Sequence, residues 1–226
     1  MSTPGRRPLD RDRIVDAAVA LADRDGLDAV TMRRLGDRLD VTPMAVYKHV
    51  TGREELIDAM LDRVVASIPP ARSGASWRDA TRDRVLTARA ALRSHPWARD
   101  AIETRRLASP TVLAYLDSLM ATMFDGGLSA DLVHHAMHAL STRMWGFTRD
   151  VLPTPAVPAD PTERARSMAT FAGTYPAIVR MATTAQHAGA GCDEDAEFAF
   201  ALDLLLDGVQ RRHDDGWSPA VAAARR

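Results

Sequence analysis

The chain has 226 residues, 46% of them hydrophobic and 26% charged, with a formal net charge of −1. This is the composition of a globular chain that can bury a core, as one domain or as a small domain plus a larger one. The balanced charge excludes a binder that holds nucleic acid by bulk positive charge alone, and the single cysteine, Cys192, excludes an intramolecular disulfide and a cysteine-built zinc site.

Met1–Leu9 is short and polar, without an apolar stretch of signal-peptide length. No run approaches the ~20 apolar residues of a membrane helix, and a free thiol suits a reducing compartment. A cytoplasmic location is expected.

Helical spacing of apolar residues recurs along the whole chain, and no stretch alternates convincingly with a period of two. The expectation is an all-α fold. The first helix is predicted over about Asp10–Asp25, with Ile14, Ala17, Ala18, Leu21 and Ala22 as its apolar stripe and Gly26 as its stop. Leu27, Ala29 and Val30 form a short packed link. Thr31 is placed to cap a second helix, Met32–Leu39, with Leu35 and Leu39 inward. After the tight connection Asp40–Thr42, Thr42 caps a third helix over Pro43–Val50. Pro43 takes its first position, where a missing N–H costs nothing. Thr51 and Gly52 break that helix, and a fourth runs from about Arg53 to Ile68, where Pro69 and Pro70 stop it.

Ala71–Ala75 is a joint of small residues. It divides an expected smaller N-terminal domain, residues 1–70, from an expected larger one, residues 76–226. Helices are predicted there over about Trp77–Ser94, Trp97–Arg105, Pro110–Phe124, Ala130–Leu152, Thr162–Tyr175, Pro176–Ala188 and Glu194–His213. Pro153–Pro161 carries four prolines and is read as a loop or extended linker.

The second and third helices, joined by a tight turn, have the form of a DNA-reading unit whose second helix enters a major groove. Val46 and Val50 anchor the third helix on Leu35 and Leu39. The opposite face offers Thr42, Pro43, Met44, Ala45, Tyr47, Lys48 and His49. Lys48, the only lysine of the chain, can meet a phosphate or a guanine edge, Tyr47 and Thr42 can donate to phosphates, and Met44 and Ala45 can touch thymine methyls. The start of the third helix adds free N–H groups. Thr31, Arg33 and Arg53 are placed to grip the backbone, with Arg6 and Arg7 as a basic arm. Between Thr31 and Arg53 the bases Arg33, Arg34, Arg38, Lys48 and Arg53 outnumber the acids Asp37 and Asp40, so the basic character is local.

The run Ile14–Ile57, IVDAAVALADRDGLDAVTMRRLGDRLDVTPMAVYKHVTGREELI, resembles the DNA-binding domain of the TetR family of repressors. The resemblance rests on the alanine-rich first helix closed by Gly26, on Val30-Thr31, and on the Gly36/Leu39 frame. It continues through Ala45–Val50 and the Arg53–Leu56 start of the fourth helix. Further on, Ser76-Trp77, Ala91-Leu92, Ser94-His95, Gly127–Ser129, Ala139–Ser141, Tyr175-Pro176 and Phe198–Val209 resemble the effector domain of the tetracycline repressor subgroup.

The resemblance implies a homodimeric repressor that binds a palindromic DNA operator and is released by a small-molecule effector, with no cofactor of its own. It places Arg84, Ile102, Arg105, Met120, His138, Trp145 and Tyr175 on the helices that line the effector pocket. It also places two long helices, about Ala130–Leu152 and Glu194–His213, in a four-helix dimer interface. Their stripes are Val133, Met137, Leu140 and Met144, and Phe198, Ala201, Leu205 and Val209. The same stripes would serve a monomer core. Where the tetracycline repressors hold a drug-binding histidine and an acid, the frame here puts Ile102 and, nearby, Pro153.

His134, His135 and His138 form an HHxxH cluster, and His134 and His138 share a helix face. No third ligand is fixed by the sequence, so no metal site is assigned. Cys192 sits beside Asp193, Glu194 and Asp195, not in the electropositive setting of a reactive thiolate. A small helical enzyme would need a nucleophile elbow, a phosphate loop or an HExxH pair, and none is found. A helical binding protein without DNA recognition is the other alternative, and the local excess of bases speaks against it.

Overall fold

The computed structural model describes residues 8–72, 74–104, 108–144, 159–184 and 193–219. Among these residues the secondary structure is helical throughout. Four short helices come first: α1 (Arg11–Asp25), α2 (Met32–Leu39), α3 (Pro43–Tyr47) and α4 (Arg53–Ala66), with one 3-10 turn at Leu27–Ala29. Seven follow: α5 (Trp77–Ser94), α6 (Trp97–Thr104), α7 (Pro110–Asp125), α8 (Ala130–Met144), α9 (Pro161–Thr174), α10 (Pro176–Thr184) and α11 (Glu194–Asp214). The predicted end of the third helix changes. α3 closes at Tyr47, three residues early, and Lys48-His49 form a turn in which the His49 N–H bonds the Val46 carbonyl at 3.0 Å. α8 is described to Met144, and the predicted continuation to Leu152 lies outside the described residues, as do the Arg6–Arg7 arm and Cys192.

The helix starts are made by local chemistry. Asp10 caps α1 by accepting from the Arg13 N–H at 2.8 Å. Thr31 and Thr42 cap α2 and α3 by accepting from Arg34 and Ala45, each at 3.3 Å. Ser76 and Ser109 do the same for α5 and α7. Each cap satisfies one of the amides that a helix start leaves without an intrahelical partner. Gly26 ends α1 at φ +81°, a left-handed conformation open to glycine at little cost.

By backbone contacts the chain divides into two compact units, one of Met1–Trp145 with Asp203–Arg226, the other Gly146–Leu202. In the first unit, Ile14, Leu21, Leu35, Val46, Leu56 and Met60 form the centre of the apolar core of α1–α4. Trp97, Ala98 and Ala101 of α6 belong to the same cluster, so burial of apolar surface joins the first four helices to α6. Arg82 on α5 grips Asp203 on α11 through two bonds of 2.7 and 3.1 Å. These bonds hold the Asp203 carboxyl below its ordinary value against the opposing effect of burial. In the second unit α9 packs on α10, and Phe171 and Tyr175 meet ring to ring at 5.0 Å.

Gly126, at the end of α7, meets the first residue of α5. A Cβ built there would stand 2.5–2.6 Å from Cβ, Cγ and Cδ1 of the buried Trp77. The clashing atoms lie at the root of the side chain and cannot swing aside. Gly126→Ala is expected to destabilise the fold by about 1–3 kcal/mol, as overpacking does, and to lower the thermal midpoint by several degrees. Thermal unfolding followed by circular dichroism checks this, and an unchanged midpoint would contradict the close approach.

Candidate nucleic-acid interface and small-molecule cleft

The turn between α2 and α3 is tight because Gly36 and Asp40 permit it. Gly36 lies against the connection: a Cβ there would fall 2.8 Å from the Val41 carbonyl oxygen and 3.3 Å from the Pro43 nitrogen. The Gly36 carbonyl accepts from the Val41 N–H at 2.9 Å. Asp40 takes the left-handed conformation, φ 54° and ψ 52°, which Asp tolerates better than most residues. Thr42 and Pro43 then start α3 immediately.

The result is a short helix anchored from below and bare above. Val46 and Val50 are buried in the core. Thr42, Pro43, Met44, Tyr47 and Lys48 are exposed, Met44 by 68% and Tyr47 by 48%, while Ala45 and His49 are half-buried at the edge. Thr31 and Arg33 are exposed at the start of α2. The hydroxyl oxygens of Thr31 and Thr42 accept the cap bonds, which leaves each hydroxyl hydrogen able to donate to a phosphate. Among the described residues the side chains of Arg33, Arg38 and Lys48 have no ion-pair partner. Arg34 differs, being paired with Asp25 at the end of α1. The unpaired positive charge of this face is therefore smaller than a count of bases suggests.

Arg53 is held differently from the expectation. Its guanidinium donates to the Leu27 carbonyl at 3.0 Å and the Val30 carbonyl at 3.3 Å, and lies 3.6 Å from Asp28. It closes the 3-10 turn, adding a second donor to the Leu27 carbonyl, which already accepts from the Val30 N–H at 3.1 Å. Two residues on, Glu55 accepts from the Thr51 N–H at 2.8 Å and from Arg11 at 2.7 Å. Burial works to raise the Glu55 carboxyl, but these bonds outweigh it and hold the group below its ordinary value.

A polar clasp joins α1 to the start of α6. Asp23 of α1 holds His95 Nδ1 at 2.7 Å and accepts from the Trp97 indole N–H at 2.7 Å, all through one carboxylate oxygen. Sequence reading gave no sign of it, because the partners lie more than seventy residues apart.

The described residues expected to line a small-molecule pocket differ in their surroundings. Arg84 is buried on α5, at 5% exposure. It faces an open cleft of about 540 Å³ whose walls include Val65, Ile68, Pro70, Ala114 and Tyr115. Its Nη2 donates to Ser118 at 2.8 Å, Nη1 reaches the Pro69 carbonyl at 3.4 Å, and the guanidinium lies 4.7 Å from the centre of the Tyr115 ring. Burial pushes the Tyr115 phenol up, and the Arg84 charge partly opposes it. Ile102 instead packs, half-buried, against the core of α1–α4. Met120 is half-buried on α7, His138 is exposed on α8, and Tyr175 is about half exposed at the end of α9. Arg105 and Trp145 lie outside the described residues. Tyr115 and Ser118 were not anticipated. Tyr115 does share a stripe with the buried Leu119 and Met123, and that spacing was readable.

The three histidines of α8 are exposed and stack on one another: His134 meets His138 at 4.6 Å and His135 at 5.3 Å, and His135 meets Trp217 at 5.3 Å, all edge to face.

Residues 14–60 match the family described as bacterial regulatory proteins, tetR family. Residues 69–213, more than half of the chain, match the tetracyclin repressor-like C-terminal domain. The chain is 37% identical over 139 residues to an HTH-type transcriptional regulator of Saccharopolyspora erythraea, a match covering 61% of this chain and 59% of that one. It is 35% identical over 134 residues to the HTH-type transcriptional repressor DrrR1 of Streptomyces coeruleorubidus, covering 55% of this chain and 50% of that one. The matches thus span between half and two thirds of these relatives' own lengths. The crystal structure of a possible TetR family transcriptional regulator from Streptomyces coelicolor A3(2) superposes with a TM-score of 0.69 at 28% identity, covering 89% of this chain and 99% of that one.

Proposed function

The chain belongs to the TetR family of bacterial regulatory proteins, and from that membership we propose that it is a transcriptional repressor that binds a DNA operator as a homodimer and leaves it when a small-molecule effector binds. The observation that carries the reading is the face of α3: Thr42, Met44, Tyr47 and Lys48 stand exposed on a helix whose other side is fixed by Val46 and Val50. A helix held this way can be pressed into a major groove without disturbing the core. An exposed aromatic and an exposed basic side chain without a hydrogen-bond or ion-pair partner among the described residues are free to meet a ligand.

Residues 1–70 would be the reading head and 76–226 the effector and dimerisation part. Thr31, Arg33 and Thr42 would join Lys48 and Tyr47 on the DNA. Arg53 would act chiefly by holding the turn from which Thr31 starts α2. Two heads in a dimer would enter successive major grooves of a palindromic site, about one helical turn apart. The dimer surface is supported on α11 by Phe200, 63% exposed, and Leu204, 55% exposed, one turn apart. Exposed large apolar groups at helical spacing are what a helix-packed interface uses. The expected stripe of Phe198 and Val209 is instead buried within the single chain. The family is one of regulators rather than enzymes, and we read the chain in the same way.

The test is a DNA titration with the duplex lying upstream of the protein's own gene. Binding is expected, with an affinity that falls linearly on a log–log plot as salt rises, because bound phosphates release counterions. An absence of binding even at low salt would remove the repressor reading and leave a helical ligand-binding protein.

A further inference from the structure

The described residues hold two buried side-chain polar atoms without a hydrogen-bond partner, Thr81 Oγ1 and Arg84 Nε. They lie three residues apart on α5, and therefore on one face of it. Orphaned polar groups are rare in folded proteins and each asks for a reason. Arg84 asks most strongly. Its guanidinium cannot shed its proton as a buried lysine can, so its charge must be met by something. Only neutral groups meet it: the Ser118 hydroxyl, the distant Pro69 carbonyl and the face of Tyr115. No carboxylate among the described residues pairs with it. A guanidinium has five N–H donors, and two are used here. One N–H is left on each terminal nitrogen besides Nε, and a carboxylate has two oxygens with which to accept from such a pair. The neighbouring cleft, about 540 Å³, has largely apolar walls and a size suited to a small organic molecule.

We infer that the effector of this chain is an organic anion, a carboxylate or an equally compact acid on an apolar body, whose charge pairs with Arg84 while its body lies against Tyr115, Val65 and Ile68. This deepens the repressor reading, because it names the chemistry of the effector that the reading requires. The anion supplies the charge that the fold leaves unmatched. Tyr115 is already stacked on the guanidinium and orients it.

The test uses the full chain and three matched pairs of probes: 2-naphthoate and 2-naphthamide, 4-phenylbutyrate and 4-phenylbutyramide, decanoate and decanamide. Calorimetry and thermal shift compare the members of each pair. The acid of at least one pair is expected to bind at least about tenfold more tightly than its amide, the scale of a hydrogen bond to a charged group. It should also raise the melting temperature. Arg84→Met is expected to erase that preference. The inference is overturned if no pair favours the acid, absence of all binding included, or if R84M keeps the preference. The comparison within each pair on the unaltered chain stands even where R84M does not fold. DNA binding is read separately. A preference for acids without operator binding keeps this inference and removes the repressor reading, whereas operator binding without the preference does the reverse.

Discussion

Replacing Tyr47 and Lys48 together by alanine is expected to lower operator affinity at least about a hundredfold at moderate salt while the melting temperature stays within a degree or two. The two halves of this expectation come from the same geometry. Both side chains are exposed, and neither makes a hydrogen bond or ion pair with another described residue. The helix that carries them is held by Val46 and Val50 and started by Thr42 and Pro43, and all four are untouched by the change. Surface substitutions of this kind usually alter stability by less than ~0.5 kcal/mol. The loss on DNA is large because each contact to a base edge or phosphate is worth roughly 1–3 kcal/mol, and every 1.4 kcal/mol is tenfold. In a dimer each contact is made twice. Removing Lys48 should also flatten the salt dependence by about one counterion per head. Fluorescence anisotropy at three salt concentrations, with circular dichroism as the control, reads all three quantities. Unchanged affinity in a folded double variant would move the reading surface away from α3.

What could be read in the sequence follows the range of the interactions that decide each feature. The starts of α1, α2, α3 and α5 are set by a capping side chain three residues from its amide, and such short-range chemistry is visible in a string of letters. Helical spacing carries α3 three residues too far because Val46 and Val50 continue it, yet Val50 reaches the core from beyond the Lys48-His49 turn. Periodicity records which residues are buried and not which backbone carries them there. Its charge and its place at the start of the fourth helix put Arg53 on the DNA backbone in the sequence. Its carbonyl partners lie 23 and 26 residues away, a distance at which spacing is silent. The same holds for Ile102, whose neighbours are in the head, and for α11. There the apolar stripe is expected at an interface although it would also serve a core, and only burial separates Phe198 and Val209 from Phe200 and Leu204. Arg84 was the one pocket candidate whose surroundings carry weight, and its significance lies in a missing partner. A missing partner can be recognised only once the neighbours are in place.

Gly36→Ala is expected to weaken both the fold and the grip on DNA, and the second loss separates this position from an ordinary core defect. The added Cβ would stand 2.8 Å from the Val41 carbonyl oxygen and 3.3 Å from the Pro43 nitrogen. Both are backbone atoms of the turn, so relief requires α2 and the turn to separate. Separation strains the 2.9 Å bond from the Val41 N–H to the Gly36 carbonyl. It also carries along Thr42 and Pro43, which start α3. Overpacking of this kind costs about 1–3 kcal/mol, enough to lower the melting temperature clearly in a chain of this size. A displacement of even a few tenths of an ångström at Pro43 tilts the whole of a five-residue helix, because α3 has little further length with which to hold its direction. Operator affinity should therefore fall by about tenfold or more at temperatures well below the unfolding transition, where the folded fraction is still complete. Alanine ordinarily favours a helix over glycine by roughly 0.5–1 kcal/mol, so the sign of the stability change is itself informative. A more stable variant with full affinity would mean that the two helices are not in contact at Gly36. A less stable variant with full affinity would mean that the turn yields without moving Tyr47 and Lys48. Loss of both is the outcome expected of a turn in which one glycine lets the first helix of the pair lie against the start of the second.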